Sequence, residues 1–368
     1  MADYIHLLKQ WPNFRWENEK IILSLSEVRH KQGRLLGRLE GLGFRLREEA
    51  TLETLTQDVI KSSEIEGEKL PVDQVRSSIA KRLGIEIAGE VSVNRNVDGV
   101  VEMMLDATQK YDEQLTDERL FRWHSALFPT ERSIHRLRIG AWRNDSKGPM
   151  QVVSGSIGKE RVHYEAPSAI RLEVEMDMFL QWFNEQKFID PVLKAAIAHL
   201  WFVTIHPFED GNGRTARAVA DMQLARADGS KQRFYSMSAQ IQRERNVYYD
   251  ILEKTQKGNL DITEWLLWFL DCLDRAIHFS EDSLSGIIRK ARFWKSHQEL
   301  SMNERQRKMI NKLIDGFEGN LTTSKWAKIA KCSTDTALRD IQDLVEKGCL
   351  EREDGGGRNT SYRINLPA

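Results

Sequence analysis

Apolar residues recur at helical spacing through most of the 368-residue chain, and only two stretches break the rule. Leu52, Leu55, Val59 and Ile60 define one face of a helix that runs out at Gly67. Pro71 then opens another, since proline suits a first helical turn and glycine suits an end. Leu172, Met176, Phe179 and Phe183 mark a helix starting near Ser168, and Asp190-Pro191 is a cap-plus-first-turn signal for a further helix reaching about Thr204. That last helix is apolar nearly all round, which predicts a central position. Trp265, Trp268 and Phe269 beyond the Asp261 to Glu264 start read as core packing, and His199 as a satisfied core or rim histidine. The first exception lies between Gly148 and Glu165, where MQVVSG and ERVHYE flank a Gly/Ser/Lys segment and predict a β-hairpin.

From about Ser280 to Ser301 the pattern loosens into a polar helix or linker, and Asn303 begins a smaller unit. Its order is helix (Glu304 to Phe317), short helix (Thr323 to Ala330), the turn Lys331-Cys332-Ser333, and a longer helix ending at Gly348. CLERE and SYRIN then bracket Asp354 to Arg358, the second exception, and read as two strands with a tip between them. The fold class that follows is mainly α, with a β-hairpin inserted in a helical core and a winged helix-turn-helix at the C-terminal end. The expected divisions are 1–90, 91–280, a linker helix over 281–302, and 303–368.

Composition changes this picture little: 40% hydrophobic and 30% charged residues belong to an ordinary globular chain. A formal net charge of −1 leaves no global field toward nucleic acid or membrane, so any basic patch must be local. Cys272, Cys332 and Cys349 lack metal-ligand spacing and read as reduced thiols of a cytoplasmic protein. Neither a signal segment nor a membrane span is expected, because the longest nearly apolar stretch, Ala195 to Ile205, falls far below the roughly 18 residues a span needs.

The chemistry concentrates in HPFEDGNGRTAR, His206 to Arg217. Gly211-Asn212-Gly213 leads into a helix, so bare backbone N–H groups and the positive end of the helix dipole converge on one spot suited to an anion. Arg214 and Arg217, three residues apart on one helical face, add two guanidinium forks for further phosphate oxygens. Asp210 is a hard oxygen ligand for a magnesium ion that arrives with the phosphates. His206 ends the apolar helix and can take a proton from a hydroxyl, while Phe208 anchors the loop. Taken singly, each feature is more often a turn, a core residue or a loop. Taken together, the spaced set has odds of arising by chance on the order of 10⁻⁹, at about one in 20 per position.

The stretch matches the signature HPFx(D/E)GNGRxxR without a departure, and the chain resembles the Fic family of adenylyltransferases. The resemblance implies His206 as general base, Asp210 as magnesium ligand, Gly211 to Gly213 as anion hole, and Arg214 with Arg217 on the outer phosphates. It also implies ATP and magnesium as co-substrates, transfer of AMP to a Ser, Thr or Tyr hydroxyl of a protein (this chain included), and release of pyrophosphate. Upstream, Ser62 to Gly67 resembles the inhibitory motif (S/T)xxxE(G/N), with Ser62, Glu66 and Gly67 at the matching positions. Glu66 is then expected to occupy Arg217. Whether the same glutamate orients a water for removal of AMP stays open.

The hairpin stands where the family places a target-docking flap, with Met150, Gln151, Val152 and Val153 as its edge; a purely structural hairpin is the alternative. Tyr248 and Tyr249 fall where the resemblance suggests residues flanking the adenine, with Gln256 at the edge of the base; packed core tyrosines are the alternative. WPNFRW and SSEIEGEKL extend the resemblance to a bacterial subfamily over essentially the full length. Thr334, Thr336 and Arg339, with Arg358 on the wing, suit DNA, yet Asp335, Asp340, Asp343 and Glu346 on the same helix would repel phosphates, so a protein contact or a homodimer is equally open. The rival functions are a nucleotide-sensing DNA-binding regulator and an enzyme of the same fold using another donor, such as UTP or CDP-choline.

Overall fold

A computed structural model describes residues 4–366 except 42, 130–136, 147, 156–158, 160, 315, 318 and 354–359. The fold is mainly helical, and its contacts divide the chain into two compact units, Met1–Ser280 and Glu281–Ala368.

The larger unit opens with α1 (Asn18–Glu40), α2 (Phe44–Ile65), α3 (Val72–Leu83), α4 (Arg95–Gln109) and α5 (Asp117–Leu127). A hairpin follows, β1 (Gln151–Ser154) and β2 (Arg161–Glu165), then α6 (Leu172–Glu185), α7 (Pro191–Ile205), α8 (Asn212–Asp228), α9 (Met237–Arg243), α10 (Arg245–Gln256) and α11 (Thr263–Ser296), whose residues up to Ser280 belong here. Asp190 caps α7 by accepting from the Val192 N–H at 2.8 Å, and Pro191 sits in the first turn. Every residue of α7 from Val192 to Ile205 is buried, as an apolar circumference requires. It packs along α8, itself buried from Arg214 to Ala225, and this pair forms the centre of the unit.

The hairpin is antiparallel, with Gln151 opposite Glu165 and Val152 opposite Tyr164, and a bulge between Val152 and Val153. All of β1 is exposed, whereas β2 is held from below. The buried Tyr164 hydroxyl donates to the Thr204 carbonyl at 2.7 Å, and Arg161 and His163 both reach Glu253 on α10. Met150 lies just outside β1, with its carbonyl accepting from the Ala166 N–H at 2.9 Å.

In the smaller unit, α12 (Glu304–Ile314), α13 (Thr323–Ala330) and α14 (Thr334–Glu346) precede an antiparallel pair, β3 (Leu350–Arg352) and β4 (Tyr362–Ile364). Residues 281–302, read from sequence as a linker, supply Phe293 and Met302 to this unit's core beside Met309, Trp326, Ile341 and Leu344. Asp340 is paired with Arg305 at 2.9 Å and bonded to Asn303, and Asp343 bonds Gln306 and Lys347. Each is thus matched by a neighbouring donor, while Asp335 and Glu346 stand exposed on the same helix. Thr334 and Arg339 are exposed and Thr336 is half-buried; Arg358 lies outside the described residues.

Candidate active site

The site is built where α7 gives way to α8. His206 caps α7 in the left-handed conformation, φ 52° and ψ 57°, with its N–H on the Phe202 carbonyl at 3.0 Å. A non-glycine residue pays about 1–2 kcal/mol for that geometry, so the surroundings must hold it. They do so twice over, because Arg143 Nε donates to the His206 carbonyl at 2.8 Å and the Arg143 N–H to the Pro207 carbonyl at 2.9 Å. The His206 ring places Nδ1 3.2 Å from the Val203 carbonyl. Nδ1 therefore carries the proton of the neutral tautomer, and the lone pair stands on Nε2. Burial pushes the imidazole down to about 4; Arg143 adds to that shift, and the Val203 carbonyl, Glu66 and Asp210 oppose it. Near neutrality the ring is an unprotonated acceptor, the state a base needs.

Phe208 is fully buried and stacks on His124, ring centroids 4.1 Å apart and planes within 6°. The Asn212 side chain closes the loop by accepting from the Phe208 N–H at 2.9 Å and donating to its carbonyl at 2.8 Å. Only the Asn212 backbone thus remains for a ligand. Asp210 is exposed, its Oδ1 accepting from the Gly211 N–H at 2.6 Å, and its carbonyl lies 3.2 Å from His124 Nε2. Since the Gly140 N–H donates to His124 Nδ1 at 3.0 Å, the proton of His124 is on Nε2 and points at Asp210. Among the described residues no group of three His, Cys, Asp or Glu side chains is assembled to hold a metal. A single exposed carboxylate fits a cation that brings phosphate oxygens and waters as its other ligands.

Gly211 turns the chain into α8 at φ 79° and offers no capping side chain, which leaves the first-turn N–H groups available to an anion. A Cβ on Gly213 would lie 2.1 Å from Glu66 Oε1 and 3.2 Å from Arg217 Nη1, so a carboxylate already fills the space beside this glycine. Arg217 is 2% exposed; its Nη2 reaches Glu66 Oε1 at 2.8 Å and the Ser62 carbonyl at 2.8 Å, and its Nε reaches Ser62 Oγ at 2.9 Å. Its Nη1 is buried with no partner, as is Arg214 Nε. Gly67, at φ 85°, releases the chain just after Glu66. Ser62 and Glu66 are thus gathered at Arg217, with Gly67 following them in the chain. Glu68, which sequence reasoning passed over, pairs with Arg214 Nη1 at 2.9 Å.

The two tyrosines separate. Tyr248 is 1% exposed, with its hydroxyl 2.9 Å from His199 Nε2, and Gln256 is buried with its amide donating to Thr204 Oγ1 at 3.2 Å. Both are buried in the core, as the alternative of packed tyrosines left open for Tyr248; His199 is the satisfied core histidine expected, held down to about 3 by burial and the nearby Arg217. Tyr249 is 37% exposed beside the Glu66 segment, its hydroxyl donating to the Ile65 carbonyl at 3.4 Å, and it alone of the three presents a surface to a base. Sequence reasoning also missed Arg143 and His124, whose partners are backbone groups distant along the chain.

Residues 114–224 match the Fic/DOC family, and residues 4–85 match a "Domain of unknown function (DUF4172)". The chain carries a Fic/DOC-family domain, and the His206 to Arg217 loop lies within it. It is 29% identical over 232 residues to the "Protein adenylyltransferase Fic" of Culex quinquefasciatus, 62% of this chain and 42% of that one. With the protein of the same description from Aedes aegypti the figures are 29% over 235 residues, 62% and 42%. The chain thus spans about two fifths of the length of the curated relatives it matches. The fold is shared with a Fic family protein of Desulfovibrio desulfuricans, TM-score 0.55 at 21% identity, covering 95% of this chain and 97% of that one. It is shared as well with a Fic domain-containing signaling protein of Bacteroides thetaiotaomicron, TM-score 0.50 at 19% identity, over 73% of this chain and 97% of the other.

Proposed function

We propose that this chain transfers AMP from ATP to a Ser, Thr or Tyr hydroxyl of a protein, and that Glu66 holds the reaction in check. The observation that carries the reading is the Glu66 carboxylate beside Gly213, paired with Arg217, while Arg217 Nη1 next to it has no partner. An acidic group sits where phosphate oxygens would lie, among donors that suit them. With Glu66 withdrawn, the first-turn N–H groups of α8, Arg214 and Arg217 bind the polyphosphate, and Tyr249 meets the base. His206 Nε2 takes the proton of the acceptor hydroxyl as its oxygen bonds to the α-phosphorus. The bond from that phosphorus to the bridging oxygen breaks, its electron pair leaving with pyrophosphate. Positioning and charge neutralisation do most of this work. Asp210 would hold magnesium, which when bound neutralises charge on the phosphates.

The exposed edge of β1, Gln151 to Val153 with Met150 beside it, is free of a further strand among the described residues and suits an extended target segment. Glu68 on Arg214 extends the check to the second motif arginine. We assign inhibition to 1–90, catalysis to 91–280 and a winged helix to 303–368, with residues 281–302 packed into that last unit rather than linking to it. Thr334, Thr336 and Arg339 suit a DNA contact and a protein contact equally, since Asp340 and Asp343 are matched internally but Asp335 and Glu346 are exposed beside them. A reaction that consumes ATP fits the cytoplasm; among the described residues no helix is long and apolar enough to cross a membrane.

The test is label transfer from α-labelled and γ-labelled ATP, with UTP and CDP-choline as competitors. We expect only the α label to appear on protein, at least about tenfold more strongly in Glu66→Gly than in the native chain, as release of a charge-assisted pair should allow. Transfer of the γ label, or displacement of ATP by another donor, would overturn the donor; equal labelling in both proteins would overturn the check.

A further inference from the structure

Between α5 and the hairpin, residues 140–145 run beneath the His206 loop and touch it at successive positions. Gly140 braces His124, the Trp142 ring lies 5.2 Å from Phe208, and Arg143 holds the backbone of both His206 and Pro207. The Arg143 side chain is almost fully buried and has three destinations. Its Nε goes to the His206 carbonyl at 2.8 Å, its Nη1 to Asp145 Oδ1 at 2.8 Å, and its Nη2 to the Pro167 carbonyl. Asp145 precedes β1 and Pro167 follows β2, so the other two destinations are the two stems of the hairpin. Asp145 Oδ2 accepts from the Ala169 N–H at 2.7 Å, which ties the stems to each other as well.

We infer that Arg143 is a positioning residue that locks the left-handed cap of His206 to both stems of the hairpin, so that placement of the base and seating of the hairpin form one unit. Tyr164 also ties β2 to the last turn of α7 through the Thr204 carbonyl at 2.7 Å, and Arg143 adds the link to the His206 cap itself. A planar fork is needed, because three acceptors lie around one buried point and a single ammonium cannot serve all three with the same directions. The consequence is that loosening the hairpin seat turns the imidazole away from an acceptor hydroxyl, although Arg143 touches neither.

As far as rate is concerned, the inference rests on the proposed AMP transfer; the link itself does not. The experiment therefore has two arms, both on the full chain carrying Glu66→Gly. In the first, Arg143→Gln lowers kcat for label transfer by about 10²-fold, as misplacement of a base by an ångström does, while KM for ATP moves less than about threefold because the Gly211 to Arg217 groups are untouched. Arg143→Lys, which keeps charge but not the fork, recovers only part of the loss. In the second arm, hydrogen exchange of residues 145–154 and 206–212 rises together in Arg143→Gln. Asp145→Asn gives the same pattern more weakly and serves if Arg143→Gln does not fold. Parallel loss of kcat and ATP affinity, full recovery by Arg143→Lys, or loosening of one segment without the other would overturn the inference. A Glu66→Gly parent that transfers no label would sink the activity reading, and the exchange arm would still decide the link.

Discussion

Among the described residues, two helix–turn–helix junctions, α7 to α8 and α13 to α14, share an unusual detail. Each first helix ends on a non-glycine residue in the left-handed region, His206 and Lys331, both at φ 52° and both with the N–H on the carbonyl four residues back. Beyond that point they diverge. The helix after Lys331 is closed by Ser333, whose hydroxyl accepts from the Thr336 N–H at 3.2 Å, while the helix after His206 begins at Gly211 with no capping side chain. The same local geometry is finished in one place and left open in the other. Where it is left open, the carboxylate of Glu66 and two arginines with spare donors gather around it. The difference teaches that left-handed strain alone marks nothing; it becomes functional when the strained side chain carries chemistry and the following helix start is unsatisfied.

The comparison can be sharpened by substitutions on either side of it. The largest effect is expected for His206→Ala in the Glu66→Gly chain: loss of label transfer by about 10²- to 10⁴-fold with ATP affinity nearly kept, because a base and not a phosphate contact is removed. The corresponding pH dependence has a definite sign. Because His206 is depressed to about 4, the ring stays neutral as pH falls and the rate should hold until that range; an acid limb near 6.5 would mean an ordinary histidine. Next comes Gly211→Ala, where the left-handed φ of 79° strains an alanine and the Leu127 and Phe128 side chains at 3.2 Å must give by a few tenths of an ångström. It should cost about 1–2 kcal/mol in a melting experiment and weaken ATP binding with it. Ser333→Ala should lower the protection of residues 323–346 against hydrogen exchange by about 1 kcal/mol and leave transfer unchanged. Lys331→Gly should do the least, raising the same protection by about 0.5 kcal/mol as the strain is relieved.

Much of the centre was legible because its parts are contiguous. The apolar circumference of α7, the glycines that follow and the two arginines one turn apart fix a buried helix, an open helix start and a cationic face without any distant contact. The mainly helical class and the hairpin followed from periodicity in the same way. What could not be read depends on facing and on pairing across the chain. Tyr248 and Tyr249 are neighbours in sequence but about 100° apart on a helix, and only packing decides that the first enters the core. The helix α11 continues through residues 281–296, where Leu284 and Phe293 are buried although the apolar spacing is loose. Asp340 and Asp343 look repulsive until Arg305 and Lys347 are seen beside them. Arg143 and His124 act on backbone groups 63 and 86 residues away, and no local pattern announces that.

The most direct test of the central claim, that the open start of α8 is an ATP site held shut by Glu66 and served by His206, is transfer of α-³²P label from ATP with magnesium in two chains, Glu66→Gly and Glu66→Gly/His206→Ala. Strong labelling in the first and loss of it in the second is the result the account predicts. Equal labelling of the two, or none in Glu66→Gly, would contradict it.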